Sequence, residues 1–248
     1  MTNVLLVTGG SRGIGAAIAR LGGRRGYDVC VNYASTSERA EEVAQEIRRS
    51  GQRVMTFRAD TSVETDVISM FEELDRTLGP VRAVVNNAAI TGGFGRVDEL
   101  DAALLRRVMD VNVIGCFLVA RESVKRMSTR HGGAGGAIVN VSSSASFTGS
   151  PGEYVHYAAS KGALDSMTIG LAREVASEGI RVNAVNPAII DTEIHAAGGL
   201  PDRFRDKGRQ LPIGRGGTPE EVAHAVMWLL SKESSFTTGA CLPLTGGL

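Results

Sequence analysis

The chain has 248 residues with 27 basic and 27 acidic side chains, for a formal net charge of zero. That balance argues against a nucleic-acid binder or an anionic-membrane binder, and no apolar run is long enough to span a bilayer. Three cysteines, Cys30, Cys116 and Cys241, are odd in number, far apart and without a C-x-x-C pair, so a reduced cytoplasmic protein with no metal site and no secretory leader is expected.

Apolar stretches of strand length alternate with helical spacing along the whole chain. Residues 4–7 read as a strand, and Ile14, Ala17, Ile18 and Leu21 give a helix stripe. A strand at 29–32 is followed by a helix marked by Val43, Ala44 and Ile47 and ended by Gly51. A strand at 54–57 precedes a helix carrying Val67, Met70, Phe71 and Leu74, stopped at Gly79-Pro80. Residues 83–85 are a fourth strand, and 104–127 carry helical spacing. Strands at 138–141 and 182–185 flank a long helix at 157–177; a helix at 222–230 and a strand at 240–244 close the series. This order predicts an α/β fold, a doubly wound parallel sheet in three layers, as a single domain over residues 1–248. The segment 191–217 lacks clean periodicity and is expected to be a substrate lid.

The stretch TGGSRGIG, residues 8–15, falls between the first strand and the first helix. Glycine is unfavourable unless the backbone needs a positive φ or a close approach. Gly9 suits a tight turn, while Gly13 and Gly15 let backbone and helix come close to a ligand. With Ser11, Arg12 and Ile14 they present N–H groups and a helix N-terminus to a pyrophosphate. The alternative is a tight turn without a ligand. An NAD(H) site wants an acid at the end of the second strand. That end reads VNYAST, so Asn32, Tyr33, Ala34 and Ser35 would line the site, and the first acid, Glu38, comes later. Arg12 can meet a 2′-phosphate with two parallel hydrogen bonds, so NADP(H) is favoured over NAD(H).

The second informative stretch is YAASK, residues 157–161. A spacing of four places Tyr157 and Lys161 on one helix face, where the ammonium should lower the phenol pKa toward neutrality and ready it for proton transfer. The run VNVSSS, residues 139–144, puts serine hydroxyls at the carboxyl end of a strand, where one can polarise a substrate oxygen.

Together these motifs resemble the short-chain dehydrogenase/reductase family, of the compact single-domain, Rossmann-like type, over essentially the whole chain. TGGSRGIG matches its T-G-x-x-x-G-x-G loop, and YAASK its Y-x-x-x-K signature. Asp60 in RADTS, followed by Thr61, resembles the adenine-contacting aspartate. NNAA, with Asn87, Ala88 and Ala89, resembles N-N-A-G with alanine for the last glycine. NPAIIDT resembles the P-G stretch that meets the nicotinamide, with Pro187, Ala188, Ile190 and Thr192 as contacts and Ala188 in the glycine position. The closing TGACLPLTGG is also typical of the family. The resemblance implies hydride transfer between NADP(H) and a carbonyl or alcohol. Tyr157 would be the proton donor, and Lys161 would tune it; both would also contact the cofactor. Ser143 would orient the substrate oxygen, and Asn112 would position a water. Counting back from Tyr157 gives Ser144 as the catalytic serine; counting from the strand gives Ser143, which is preferred because loops absorb insertions.

Phe94, Phe147, Glu153, Tyr154, His156, Ile190 and His195 are the residues from which a substrate pocket would be drawn. Alternatives within the family are a sugar (glucose-type) dehydrogenase and a 3-oxoacyl-type reductase. The second is disfavoured by Glu178, which stands where relatives that meet the acidic acyl carrier protein have a basic residue. Outside these lie a nucleotide-binding regulatory protein and a sugar-nucleotide epimerase or dehydratase. The resemblance also implies a homotetramer built on the helices that begin near Leu104 and Tyr157.

Overall fold

The computed structural model of the chain describes residues 3–193 and 202–248. Its strands are β1 Val4–Val7, β2 Asp28–Tyr33, β3 Val54–Arg58, β4 Val81–Asn86, β5 Gly136–Val141, β6 Ile180–Pro187 and β7 Cys241–Leu244. All pair in parallel in the order β3-β2-β1-β4-β5-β6-β7. The chain runs outward from β1 to β3, then crosses back to β4. The order therefore reverses between β1 and β4, and ligands of such sheets bind outside the carboxyl ends of the strands at that point.

Both faces of the sheet are covered, which is why the strands read as unbroken apolar runs rather than as alternating ones. Leu5 and Val7 of β1 enter a core with helices α1 (Gly13–Arg24), α2 (Ser37–Arg49) and α9 (Pro219–Leu230). Val4 and Leu6 point the other way, toward α3 (Glu64–Thr77), α5 (Gly115–Met127) and α7 (Val155–Val175). The period of two in a strand thus sorts one short run into two cores. Thr218 caps α9 with a reciprocal Glu221 contact, and Pro219 opens the helix, so its start is fixed locally.

Two elements differ from the sequence expectation. The spacing at 104–127 is not one α-helix: α4 (Ala102–Met109) passes through a π turn, Asp110–Ile114, into α5. The wider turn accommodates an extra residue, and Asn112 within it is fully buried. Within 191–217, α8 (Arg203–Gly208) is regular, and the amide of Asp191 donates to the Gly217 carbonyl at 3.0 Å, pinning the two ends together. Residues 194–201, His195 among them, lie outside the described residues. A short helix, α6 (Ala145–Thr148), fills the connection between β5 and α7. No helix among the described residues is long and apolar enough to cross a membrane.

Candidate active site

The glycine loop after β1 is tied down by asparagines from neighbouring strands. The Gly9 amide donates to Asn32 Oδ1 at 3.1 Å, and Asn87 Nδ2 donates to the Thr8 and Gly9 carbonyls at 2.9 and 3.0 Å. Thr8 Oγ1 accepts from the amides of Asn87 and Ala88 at 2.9 and 3.1 Å. A Cβ on Gly15 would overlap the Gly9 carbonyl oxygen, and one on Gly9, where φ is +60°, would reach Ala88 Cα at 3.0 Å. The glycines are therefore what lets the loop fold back onto residues 87–88.

In front of the loop is a cleft of 290 Å³. Helix α1 enters it with no side-chain cap and no acidic residue in its first turn, so its free N–H groups and positive dipole end favour an anion. This donor set fits the phosphates of a dinucleotide. Ser11, Arg12, Gly13, Ile14, Tyr33, Ala34, Ser35, Asp60, Thr61, Asn87, Ala88 and Ala89 all line the cleft, as the sequence places them. Asn32 lines it too, but its side chain is engaged by Gly9 and by the Phe57 and Ala59 carbonyls at 3.3 and 3.0 Å. It shapes the floor instead of offering a free amide.

At the adenosine end no carboxylate follows β2. Asp60 accepts from Ser62 and is paired with Arg107 at 2.8 Å. Burial works to raise its carboxyl; the Ser62 and Arg107 contacts outweigh burial and hold it below its ordinary value. At the rim, Glu193 Oε2 takes Arg39 Nη1 at 2.5 Å and lies 3.9 Å from Arg12 Nη1. Sequence reasoning missed Arg39, Arg107 and Glu193. None belongs to a spaced motif; only the fold brings Arg107 and Glu193 to the cleft and Arg39 to Glu193.

Ile14, Asn87, Ala89 and Thr192 are shared with a smaller adjoining pocket of 90 Å³, which Ser143, Tyr154, Tyr157, Lys161, Pro187, Ala188 and Ile190 also line. Tyr157 and Lys161 lie in the first turns of α7 and are both buried. Lys161 Nζ donates to the Val141 carbonyl at 2.8 Å and stands 5.5 Å from the centre of the Tyr157 ring. Of the three serines, Ser142 donates to the Lys161 carbonyl at 3.1 Å, and Ser144 is outside the pocket lining. Ser143 lines the pocket with Tyr157; its hydroxyl donates to the Pro187 carbonyl at 3.5 Å and accepts from the Ala145 amide at 3.1 Å. Among the described residues only Ser150 is a non-glycine with positive φ, so Ala188 occupies the usual glycine position without strain.

One expectation about this pocket needs correction. The protein's own groups do not lower the Tyr157 phenol. Burial pushes it up to about 12, with the Ser143 hydrogen bond opposing the rise. Burial also lowers the Lys161 ammonium, with Cys116 and Asp165 opposing. Desolvation penalises the charged form of both groups. The Asn112 side chain is engaged by protein: it accepts from the Ile90 amide at 2.9 Å and donates to the Ile90 carbonyl and Ser160 Oγ at 2.8 and 3.0 Å. It ties the loop after β4 to α7.

On the substrate side, Phe94, Tyr154 and Tyr157 form a chain of edge-to-face rings with centroids 4.9 and 5.3 Å apart. Arg203 of α8 lies over the Phe94 and Tyr154 rings and donates to Glu153 and to the Tyr154 hydroxyl at 2.6 and 2.8 Å. This buried arginine, also missed from sequence, fastens the segment after β6 to the pocket wall. His156 is buried on the Thr91 carbonyl at 2.9 Å, whereas Phe147 is 55% exposed and away from the pocket lining.

The family described as enoyl-(acyl carrier protein) reductase matches residues 9–248. The uncharacterised oxidoreductase YgfF of Escherichia coli K12 is 51% identical over 244 residues, covering 98% of this chain and 99% of YgfF. Glucose 1-dehydrogenase 2 of Bacillus subtilis is 35% identical over 243 residues, covering 98% of this chain and 93% of that enzyme. A crystal structure of a short chain dehydrogenase from Burkholderia cenocepacia J2315 in complex with NADP matches with a TM-score of 0.90 at 30% identity, covering 99% of this chain and 97% of that one.

Proposed function

The chain belongs to the short-chain dehydrogenase/reductase family, and we propose that it is an NADP(H)-preferring carbonyl reductase, reversible as an alcohol dehydrogenase. The observation that carries this reading is the meeting of Ser143, Tyr157 and Lys161 in a pocket that opens onto a glycine-floored cleft. When bound, the nicotinamide gives or takes the hydride at the substrate carbon. The residues after β1 and the start of α1 would hold the pyrophosphate, and Arg12 would hold the 2′-phosphate. Lys161, Tyr157, Pro187, Ala188, Ile190 and Thr192, which line one pocket, would hold the nicotinamide half.

The chain's own chemistry is proton transfer and orientation. Ser143 Oγ hydrogen-bonds the substrate oxygen and fixes its distance to Tyr157 Oη. The Tyr157 phenol is kept protonated at neutral pH by burial, so it is set to give its proton to an oxygen on which negative charge develops. That setting favours reduction. Asn112 is a positioning residue: through Ile90 and Ser160 it holds two walls of the pocket in place. The segment 191–217, latched by Arg203, would exclude water. Likeness to a glucose dehydrogenase makes a polyol or sugar the second substrate class to assay.

The cofactor assignment is tested by titrating the wild type and Arg12→Ala with NADPH and NADH. The substitution should weaken NADPH by about tenfold and NADH much less, because a charge-assisted pair to the phosphate is lost. Equal losses for both nucleotides would remove Arg12 from the 2′-phosphate.

A further inference from the structure

At the adenosine end of the cleft one carboxylate sits beside two guanidiniums. Glu193 Oε2 accepts from Arg39 Nη1 at 2.5 Å and lies 3.9 Å from Arg12 Nη1. The three residues come from three separate connections: Arg12 is the N-cap of α1, Arg39 lies in the first turn of α2, and Glu193 follows β6. Arg39 and Glu193 are 154 positions apart, so the fold and not the local chain brings them together. The hydroxyls of Ser35 and Thr36, 3.4 Å apart, belong to the same end of the cleft. Asp60 and Glu193 are the acids that line the cleft among the described residues, and Asp60 is held by Ser62 and Arg107. Glu42 is the other carboxylate that acts on Arg39, through charge alone. Two guanidiniums and two hydroxyls make a donor set suited to a phosphate monoester, and here a carboxylate holds one guanidinium and lies near the other.

We infer that Glu193 holds the place of the cofactor's 2′-phosphate and competes with it for Arg39 and Arg12; the inference rests on the NADP(H) reading above. A 2′-phosphate takes both arginines and releases Glu193. NAD(H), with only a hydroxyl at that carbon, leaves the Arg39–Glu193 pair in place. Thr192, the preceding residue, lines both the cleft and the proton-donor pocket. The competitor is weak: the Arg39 and Glu193 side chains are 44% and 56% exposed, and pairs of that kind contribute little and are screened by salt. It tunes affinity by a small factor and does not gate the site.

The test is a set of nucleotide-binding titrations on the wild type, Glu193→Gln, Arg39→Ala and the double variant, with NADPH and NADH at low and high ionic strength. Glu193→Gln should tighten NADPH by about fivefold at low salt, leave NADH unchanged, and lose most of its effect at high salt. In the Arg39→Ala background the same substitution should give a much smaller gain, since the residue it competed for is gone. Unchanged or weaker NADPH binding by Glu193→Gln would overturn the inference. So would an equal gain in the Arg39→Ala background, which would reduce Glu193 to a repelling charge. A wild type that binds neither nucleotide would remove the cofactor reading and this inference together; one that binds NADPH with no response at Glu193 would remove this inference alone.

Discussion

A phenol raised to about 12 is almost wholly protonated at neutral pH and its phenolate scarce, and that population sets the pH behaviour expected of Tyr157. Reduction needs the protonated phenol, which is fully present below its pKa, so kcat/KM for a carbonyl should stay flat from about pH 6 to pH 9. Oxidation needs the phenolate, so kcat/KM for an alcohol should climb across that range. Steady-state profiles in both directions check this; an oxidation rate that is level from about pH 6 to pH 9 would show a phenol already lowered. The identity of Tyr157 could be read from the Y-x-x-x-K spacing. Its pKa could not, because desolvation depends on what covers the ring, and Phe94, packed on the neighbouring Tyr154, is brought there only by the fold. The preference for Ser143 was counted from the strand end; Ser142 and Ser143 both line the pocket, and Ser142 is engaged by the Lys161 carbonyl. Arg39, Arg107, Arg203 and Glu193 left no trace in the sequence. Each is an ordinary surface-type residue in its own segment, and its partner lies dozens to more than a hundred positions away.

At the scale of elements, the glycine loop is the most constrained piece. Gly15 packs against the Gly9 carbonyl, and a methyl group there has nowhere to go without moving the loop away from Asn87. Gly15→Ala should lower stability by about 1–3 kcal/mol, a fall of several degrees in the thermal midpoint, and weaken NADPH and NADH alike. A calorimetric scan paired with the two titrations checks both halves; unchanged binding would mean that the loop does not hold the pyrophosphate. Six of the seven strands extend a residue or two beyond their apolar runs or match them, because fully buried parallel strands carry their signal in every residue. The π turn at Asp110–Ile114 was invisible, since one extra residue in a turn leaves the apolar spacing on either side intact. Helix α8 was missed because six residues of mixed charge and little apolar content give no period to read.

The whole molecule presents apolar surface that its own core does not need. Ile114 in the π turn, Phe117 on α5 and Ile169 on α7 are 48%, 51% and 38% exposed, and Gly170 of α7 has nothing within reach of a Cβ. Helices that pack on the sheet with one face and leave such residues on the other are suited to meet a second copy. A homotetramer is the expected state, and Phe117→Asp should shift the mass in light scattering toward smaller species; a wild-type monomer at micromolar concentration would contradict the assembly.

A doubly wound parallel sheet followed from the alternation of strand and helix with right-handed crossovers; the order of strands, and so the position of the crevice, is set by the fold. What the crevice does is tested most directly by one comparison: NADPH consumption with a carbonyl panel, followed at the nicotinamide absorbance, for the wild type and Tyr157→Phe, with NADPH binding measured on the same samples. The expected result is equal binding and a loss of turnover of at least about 100-fold in the variant, since the cleft is intact and only the proton donor is gone. Turnover by Tyr157→Phe near the wild-type rate would contradict the account, because the proton would then come from another group.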